Sequence, residues 1–149
     1  MNSKDRVLER ERQRGRAAAL DLAARAPELD GTAIIAEEDN IPPFNPSFDY
    51  SGLKPGTPVR DEGQVWQLIQ PHNAAHYTGR PAELRALWSL CHTKDPAKAK
   101  PWVDAYGISG MYMTGECYKA DDGTVYCAKQ DNLVHDAAAY PAGWKETIV

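Results

Sequence analysis

Cys91-His92 sets a thiol beside an imidazole, and His72 and His76 stand four residues apart. Two chemistries would need such residues: a thiolate activated by a neighbouring base, or a zinc centre. Neither spacing serves. Sequence neighbours need not converge in space, and no strand-turn-helix nucleophile elbow is present. Zinc takes about four convergent ligands, usually with a close Cys or His pair at each end. The chain has no Cys-x-x-Cys, and Pro71 and Asn73 put His72 in a loop, where packing or hydrogen bonding is the expected role. A glycosidase would need two carboxylates held roughly 5–10 Å apart across a cleft. Glu62, Glu83, Glu116, Asp121, Asp122 and Asp136 are available, but Asp121-Asp122 is explained by a turn, and very small units rarely provide a cleft. There is no Gly-rich phosphate loop. The expectation is a protein that is not an enzyme and that uses no metal and no cofactor.

The elements that carry these residues are organised by a hairpin and its earlier copy. Residues 115–130 contain two strand-like runs joined at Asp121-Asp122-Gly123. Asp-Gly between such runs is a strong hairpin signal, because glycine accepts the positive φ of a tight turn. With a three-residue loop, Ala120 faces Thr124 and Cys117 faces Cys127. Residues 56–70 repeat the pattern: Gly63-Gln64-Val65-Trp66 aligns with Gly123-Thr124-Val125-Tyr126, each pair 60 positions apart, and Gln70 falls on Gln130. A repeat decides architecture before any single motif does.

Composition sets the class. No apolar run approaches the ~18–20 residues needed to span a bilayer. The charged N-terminus lacks the apolar stretch of a secretory signal. A net charge of −4 gives no general reason to expect nucleic-acid binding. Cys91, Cys117 and Cys127 are an odd number, which argues against a closed disulfide framework. Cys117 and Cys127 could bridge across the hairpin or could be two small half-buried residues. We expect reduced thiols, as suits assembly in a reducing cytosol.

Residues 4–26 are mostly strong helix formers, with Ser3 placed to cap the start and Pro27 to end the helix. The first half is charged nearly all round and carries only Val7 and Leu8 as large apolar residues. The second half is an alanine-leucine surface, with Ala18, Leu22 and Ala26 at i, i+4, i+8. The pattern predicts a docking or oligomerising arm with Val7, Leu8, Ala18 and Leu22 on its assembly face, rather than part of a core. Its arginines interleave with Glu9, Glu11 and Asp21 and have no aromatic beside them, so a salt-bridged solvated helix is expected in place of a nucleic-acid or membrane contact.

Residues 27–55 hold five prolines. Residues 32–36 could form a strand, and Phe44, Phe48 and Tyr50 could pin an irregular connector onto a neighbouring surface. A first unit then runs through Val59-Arg60, the turn Asp61-Glu62-Gly63, and a return strand over residues 65–70. In residues 81–91, Leu84, Leu87, Trp88 and Cys91 lie at i, i+3, i+4, i+7, which predicts a short amphipathic helix or helical turn. Each unit has an opening aromatic (Tyr50 or Phe48; Trp102 or Tyr106), a glycine turn, a Val-aromatic strand and a closing Trp. The fold class expected is mainly β: two small aromatic-cored modules of two or three strands preceded by an N-terminal α-helix. The boundaries are 1–28 for the helix, 29–47 for the connector, 48–100 for the first module and 101–149 for the second. Units this small lack a comfortable core unless large aromatics fill it, at about 150–250 Å² each. Trp66, Trp88, Trp102, Tyr126 and Trp144 are assigned that role, and the two units are expected to pack on each other.

Gly115, Gly123-Thr124-Val125-Tyr126-Cys127-Ala128 and Trp144, with Gly56, Gly63-Gln64-Val65-Trp66 and Trp88, resemble the chitin-binding-type modules of carbohydrate-binding families 5 and 12. The region 48–149 also looks like bacteriophage and prophage virion proteins that carry tandem modules behind a helix. The segments behind that likeness are Val65-Trp66-Gln67-Leu68-Ile69-Gln70-Pro71-His72, Arg85-Ala86-Leu87-Trp88 and Asp131-Asn132-Leu133-Val134-His135-Asp136.

The resemblance implies a virion structural or accessory protein, either a tail appendage or a head fibre or decoration, assembled in the bacterial host cytoplasm. Its partners would be other virion proteins and itself, as a homo-oligomer for which a trimer is one option. It also implies an alternative, a glycan-binding adhesin module for host cell-wall or surface polysaccharide. The adjacent exposed aromatics of typical modules are missing, so exposed Tyr77, Tyr106 and Tyr140 are the candidate glycan contacts. No nucleic-acid or membrane partner is implied.

Overall fold

The computed structural model describes residues 2–149. Helix α1 spans Ser3–Arg25. Its cap is Asn2, whose side chain accepts from the Asp5 N–H at 2.9 Å, and not Ser3 as expected. The helix starts one residue earlier than the pattern suggests, and asparagine is as good a cap as serine. Pro27 is the second residue of a 3-10 turn, Ala26–Glu28, and the α-helix stops there.

The expected strand over residues 32–36 is instead a helix, α2, at Gly31–Ala36. Asp30 caps it by accepting from the Ala33 N–H at 2.8 Å. Ile34 and Ile35 are both fully buried. Adjacent residues of a strand point to opposite faces, whereas in a helix both can reach one core. That core joins Leu22 and Ala26 of the first helix to Ile34, Ile35, Ile41, Val65 and Cys91. The base of the arm and the connector thus fold onto the first module, across the boundaries expected at 28 and 47. Arg25 clamps this join with two hydrogen bonds to the Glu37 carboxylate, at 2.8 and 2.9 Å, and one to Asp21.

The first sheet is an antiparallel run of β1 (Pro58–Asp61), β2 (Gln64–Leu68) and β3 (Trp88–Leu90). Its hairpin turn is two residues, Glu62-Gly63, both with positive φ (50° and 78°), so Asp61 ends β1 opposite Gln64 and does not form part of the loop. This mirror-image turn matches the right-handed twist of the flanking strands. Strand β2 is buried on both sides. Trp66 and Leu68 face a cluster with Phe44, Tyr50, Val59, Trp88 and Leu90, while Val65 faces the helical core. The expected helix before Cys91 is two successive turns, closed by the Leu84 N–H to Arg80 and the Trp88 N–H to Leu84, and the chain then extends into β3.

The second sheet has the order β4 (Lys100–Pro101), β5 (Cys117–Lys119), β6 (Val125–Ala128) and β7 (Trp144–Thr147), with β4 parallel and the rest antiparallel. The β5–β6 hairpin has the expected register. Cys117 pairs with Cys127, the Ala120 N–H reaches the Thr124 carbonyl at 2.8 Å, and Gly123 has a φ of 88°. Cys117 and Cys127 form a disulfide, in place of the reduced thiols expected. They face each other at a pair that exchanges no ladder hydrogen bonds, where strands approach closest, and their α-carbons are 4.0 Å apart. Tyr112, Tyr118, Ala128, Leu133, Ala137 and Trp144 make the core.

The repeat is preserved in the pairing. Trp88 lies across from Leu68, and Trp144 across from Ala128, although the intervening loops differ in length. The two sheets are tied together by the Cys117 N–H to the Thr93 carbonyl (2.8 Å) and by Gln64 Nε2 to the Pro101 carbonyl (2.8 Å). The 23-residue α1 is about as long as all seven strands together, so the fold is mixed α/β with two small sheets and aromatic clusters, not mainly β. Among the described residues, no helix is long and apolar enough to cross a membrane.

Candidate ligand cleft

A cleft of about 720 Å³ opens beside the β5–β6 turn. That is within the ~300–1,000 Å³ range of small-molecule sites. Three segments build it: Tyr118 to Asp122 with Tyr126 from the hairpin, Asp136 to Ala138 with Pro141 from the closing loop and Trp144 where that loop enters β7, and Pro101 of β4 with Trp102 just beyond it. Tyr118 and Trp144 form a buried floor, edge to face with centroids 4.9 Å apart. The Tyr118 hydroxyl accepts from the Ala137 N–H at 2.8 Å, and Trp144 Nε1 donates to the His135 carbonyl at 2.8 Å. These bonds anchor the closing loop to the sheet.

Two half-buried rings stand above this floor. Tyr126 lies opposite Tyr118 on the neighbouring strand, with ring centroids 5.6 Å apart and planes 29° apart. Trp102 meets Tyr118 edge to face at 5.0 Å, and its Nε1 donates to Asp104 at 2.7 Å. Lys119, Asp121, Asp122 and Asp136 bring the charge. The Asp122 carboxyl accepts from the Thr124 N–H at 2.9 Å, and hydrogen bonding to Thr124 lowers its pKa below the usual carboxylate range. Asp122 is thus an ionised acceptor and not a proton donor. Asp136 accepts from the Ala139 N–H at 2.9 Å, which holds its loop in place. Aromatic rings with carboxylates around them can bind and orient a ligand.

The assigned residues divide. Tyr77, Tyr106 and Tyr140 are exposed, at 46, 64 and 39%, but the structure does not bring them together. Tyr77 packs edge-on against His72, Tyr106 closes a turn with Ser109, and Tyr140 lies over Gly143. None of the three lines the cleft. Trp66 and Trp88 are core residues as assigned, whereas Trp102, Tyr126 and Trp144 also line the cleft. On the arm, Val7 and Leu8 are exposed and Ala18 is half-buried, but Leu22 belongs to the helical core. In the sequence the turn accounts for Asp121-Asp122, Asp136 stands only among the carboxylates available for a glycosidase pair, and nothing marks Lys119. A closing loop that folds back on the hairpin leaves no mark in residue spacing.

Cys91 and His92 do not form a reactive pair, and His72 places Nδ1 2.7 Å from the Gln70 carbonyl in its loop. Cys91 is buried and donates to Gln67 at 3.2 Å, and burial pushes its thiol up to about 12. His92 stacks on Tyr112, away from Cys91. Among the described residues, no three or more His, Cys, Asp and Glu side chains are gathered as a metal site. No family model matches the chain, and no curated protein does.

Proposed function

We propose that this chain is a bacteriophage virion accessory protein, on the tail or as a head fibre or decoration, whose helical arm mounts a two-module body on the particle. The observation that carries this reading is the division of α1. Leu22, with Ala26 beyond the helix end, is buried in the body, while Val7, Leu8 and Leu20 are exposed at 55, 46 and 69%. A helix rooted in a core at one end and bare at the other is a lever for attachment. Its exposed length carries short-range pairs, Arg12 to Glu9 and Arg14 to Glu11, that each favour the helix by about 0.2–0.5 kcal/mol. The resemblance of residues 48–149 to virion modules supports the setting. Self-association through the same arm belongs to this reading.

The test is removal of residues 2–19, which spares Leu22. The expected result is a body that melts as before and is lost from particles. Normal incorporation would overturn the proposal.

The cleft favours a second role for the mounted body: binding of host cell-wall or surface polysaccharide. Sugar rings have an apolar C–H face suited to stacking on aromatic rings, and hydroxyls suited to carboxylates. Retention on insoluble polysaccharide, weakened by Tyr126→Ala, is the expected result. Retention unchanged in that variant would exclude the cleft.

A further inference from the structure

We propose that the cleft beside the β5–β6 turn selects saccharides bearing a free, protonated amine over their acetylated or neutral counterparts. This rests on the polysaccharide reading above and adds the chemistry of the ligand. The aromatic lining is a buried floor of Tyr118 and Trp144 and two half-buried rings, Tyr126, stacked on Tyr118, and Trp102, stacked on Tyr112. The charged groups around them are three carboxylates, Asp121, Asp122 and Asp136, against one ammonium, Lys119.

A neutral sugar would satisfy the rings alone. The excess of carboxylate is what an amine answers. An amine on a stacked sugar ring lies at the ring's edge, within reach of groups that stand around the aromatic surface. The carboxylates arrive from two directions, Asp121 and Asp122 on the hairpin turn and Asp136 on the closing loop.

Asp122 is already ionised through its bonds to Thr124, so its charge is present before a ligand arrives. The half-buried faces of Tyr126 and Trp102 add to this, because the ring quadrupole attracts a cation within about 6 Å. An acetylated amine loses its charge and adds an acyl group, and it forfeits both attractions. A simple basic peptide would use the carboxylates but would leave the stacking surface without a ring to cover it.

The experiment uses the full chain and three probes: a glucosamine hexamer at a pH where its amines are protonated, the fully N-acetylated hexamer, and a hexalysine peptide. Binding is followed by calorimetry at low and high salt. The expected result is at least tenfold tighter binding of the free-amine sugar than of either other probe, weakened by salt. Asp121→Asn and Asp136→Asn should each reduce that preference several-fold while leaving the melting temperature unchanged. Tyr126→Ala should weaken both sugars. Equal binding of the two sugars would overturn this inference and leave the polysaccharide reading standing. Binding of hexalysine as tight as that of the amine sugar would overturn it in favour of a general cation site. No binding of either sugar would remove both this inference and glycan binding through the cleft.

Discussion

His92 lies face to face on Tyr112, with ring centroids 3.6 Å apart and planes 20° apart, where the first sheet hands over to the second. His92 Nε2 is 2.8 Å from the Gly110 carbonyl. Burial of the ring lowers its pKa to about 4; the Gly110 bond opposes this and the Arg85 charge adds to it. The folded protein therefore holds this imidazole neutral at pH values where the unfolded chain takes up a proton. The stabilisation is complete above the unfolded value of about 6.5 and declines as pH falls from there to about 4. Across that window the loss from this one group is roughly 3 kcal/mol. Melting curves from pH 7 to pH 4 should show the decline, and His92→Gln should flatten it. An equally steep decline in the variant would assign the effect to other groups.

The two ends of the arm should respond to mutation in opposite ways. Leu22 is fully buried among Ala26, Ile34, Ile35 and Ile41, so Leu22→Ala should cost about 2–5 kcal/mol of stability. Leu8→Ala, at an exposed site, should stay within about 0.5 kcal/mol and act only on assembly. Denaturant titration of the isolated protein separates the two.

The Cys117–Cys127 disulfide closes a short loop, ten residues apart in sequence. Restricting the unfolded chain over such a loop stabilises by roughly 2–3 kcal/mol. Reductant should lower the melting temperature by a corresponding amount, and the double variant Cys117→Ser with Cys127→Ser should melt there with or without reductant. Equal melting of the oxidised and reduced protein would show that strand pairing alone sets the stability of this hairpin.

Gly31 packs its α-carbon against the His92 backbone, and an added Cβ would collide with the His92 carbonyl oxygen. Gly31→Ala improves helix propensity at the start of α2, yet the collision is with backbone and cannot be relieved by a rotamer change. The expected outcome is net destabilisation of about 1–3 kcal/mol, by the overpacking rule. Calorimetry would check it, and a gain in stability would mean that α2 can shift away from the inter-sheet joint.

The two hairpins, the turn at Asp121-Asp122-Gly123 and the register that sets Cys117 opposite Cys127 were legible in the sequence, because glycine at a positive φ and strand alternation are local properties; the shorter first turn and the disulfide itself were not. The arm was legible for the same reason: residues 4–26 carry their helical preference without help. The helix over residues 31–36 was not, since Ile34-Ile35 suits a strand by propensity, and only the core beneath Leu22 and beside Val65 makes a helical turn the better burial. The cleft was legible only in part. Trp102, Tyr126 and Trp144 could be assigned to an aromatic centre from their places in the repeat, whereas Tyr118 could not. Which rings remain open to a ligand, and which carboxylates stand over them, depends on how the loop from Asp131 to Gly143 folds back across the hairpin. That choice is made by contacts such as the Ala137 N–H to the Tyr118 hydroxyl and Trp144 Nε1 to the His135 carbonyl. The first joins residues 19 positions apart and the second joins residues 9 apart, through side chains whose reach no short-range pattern encodes.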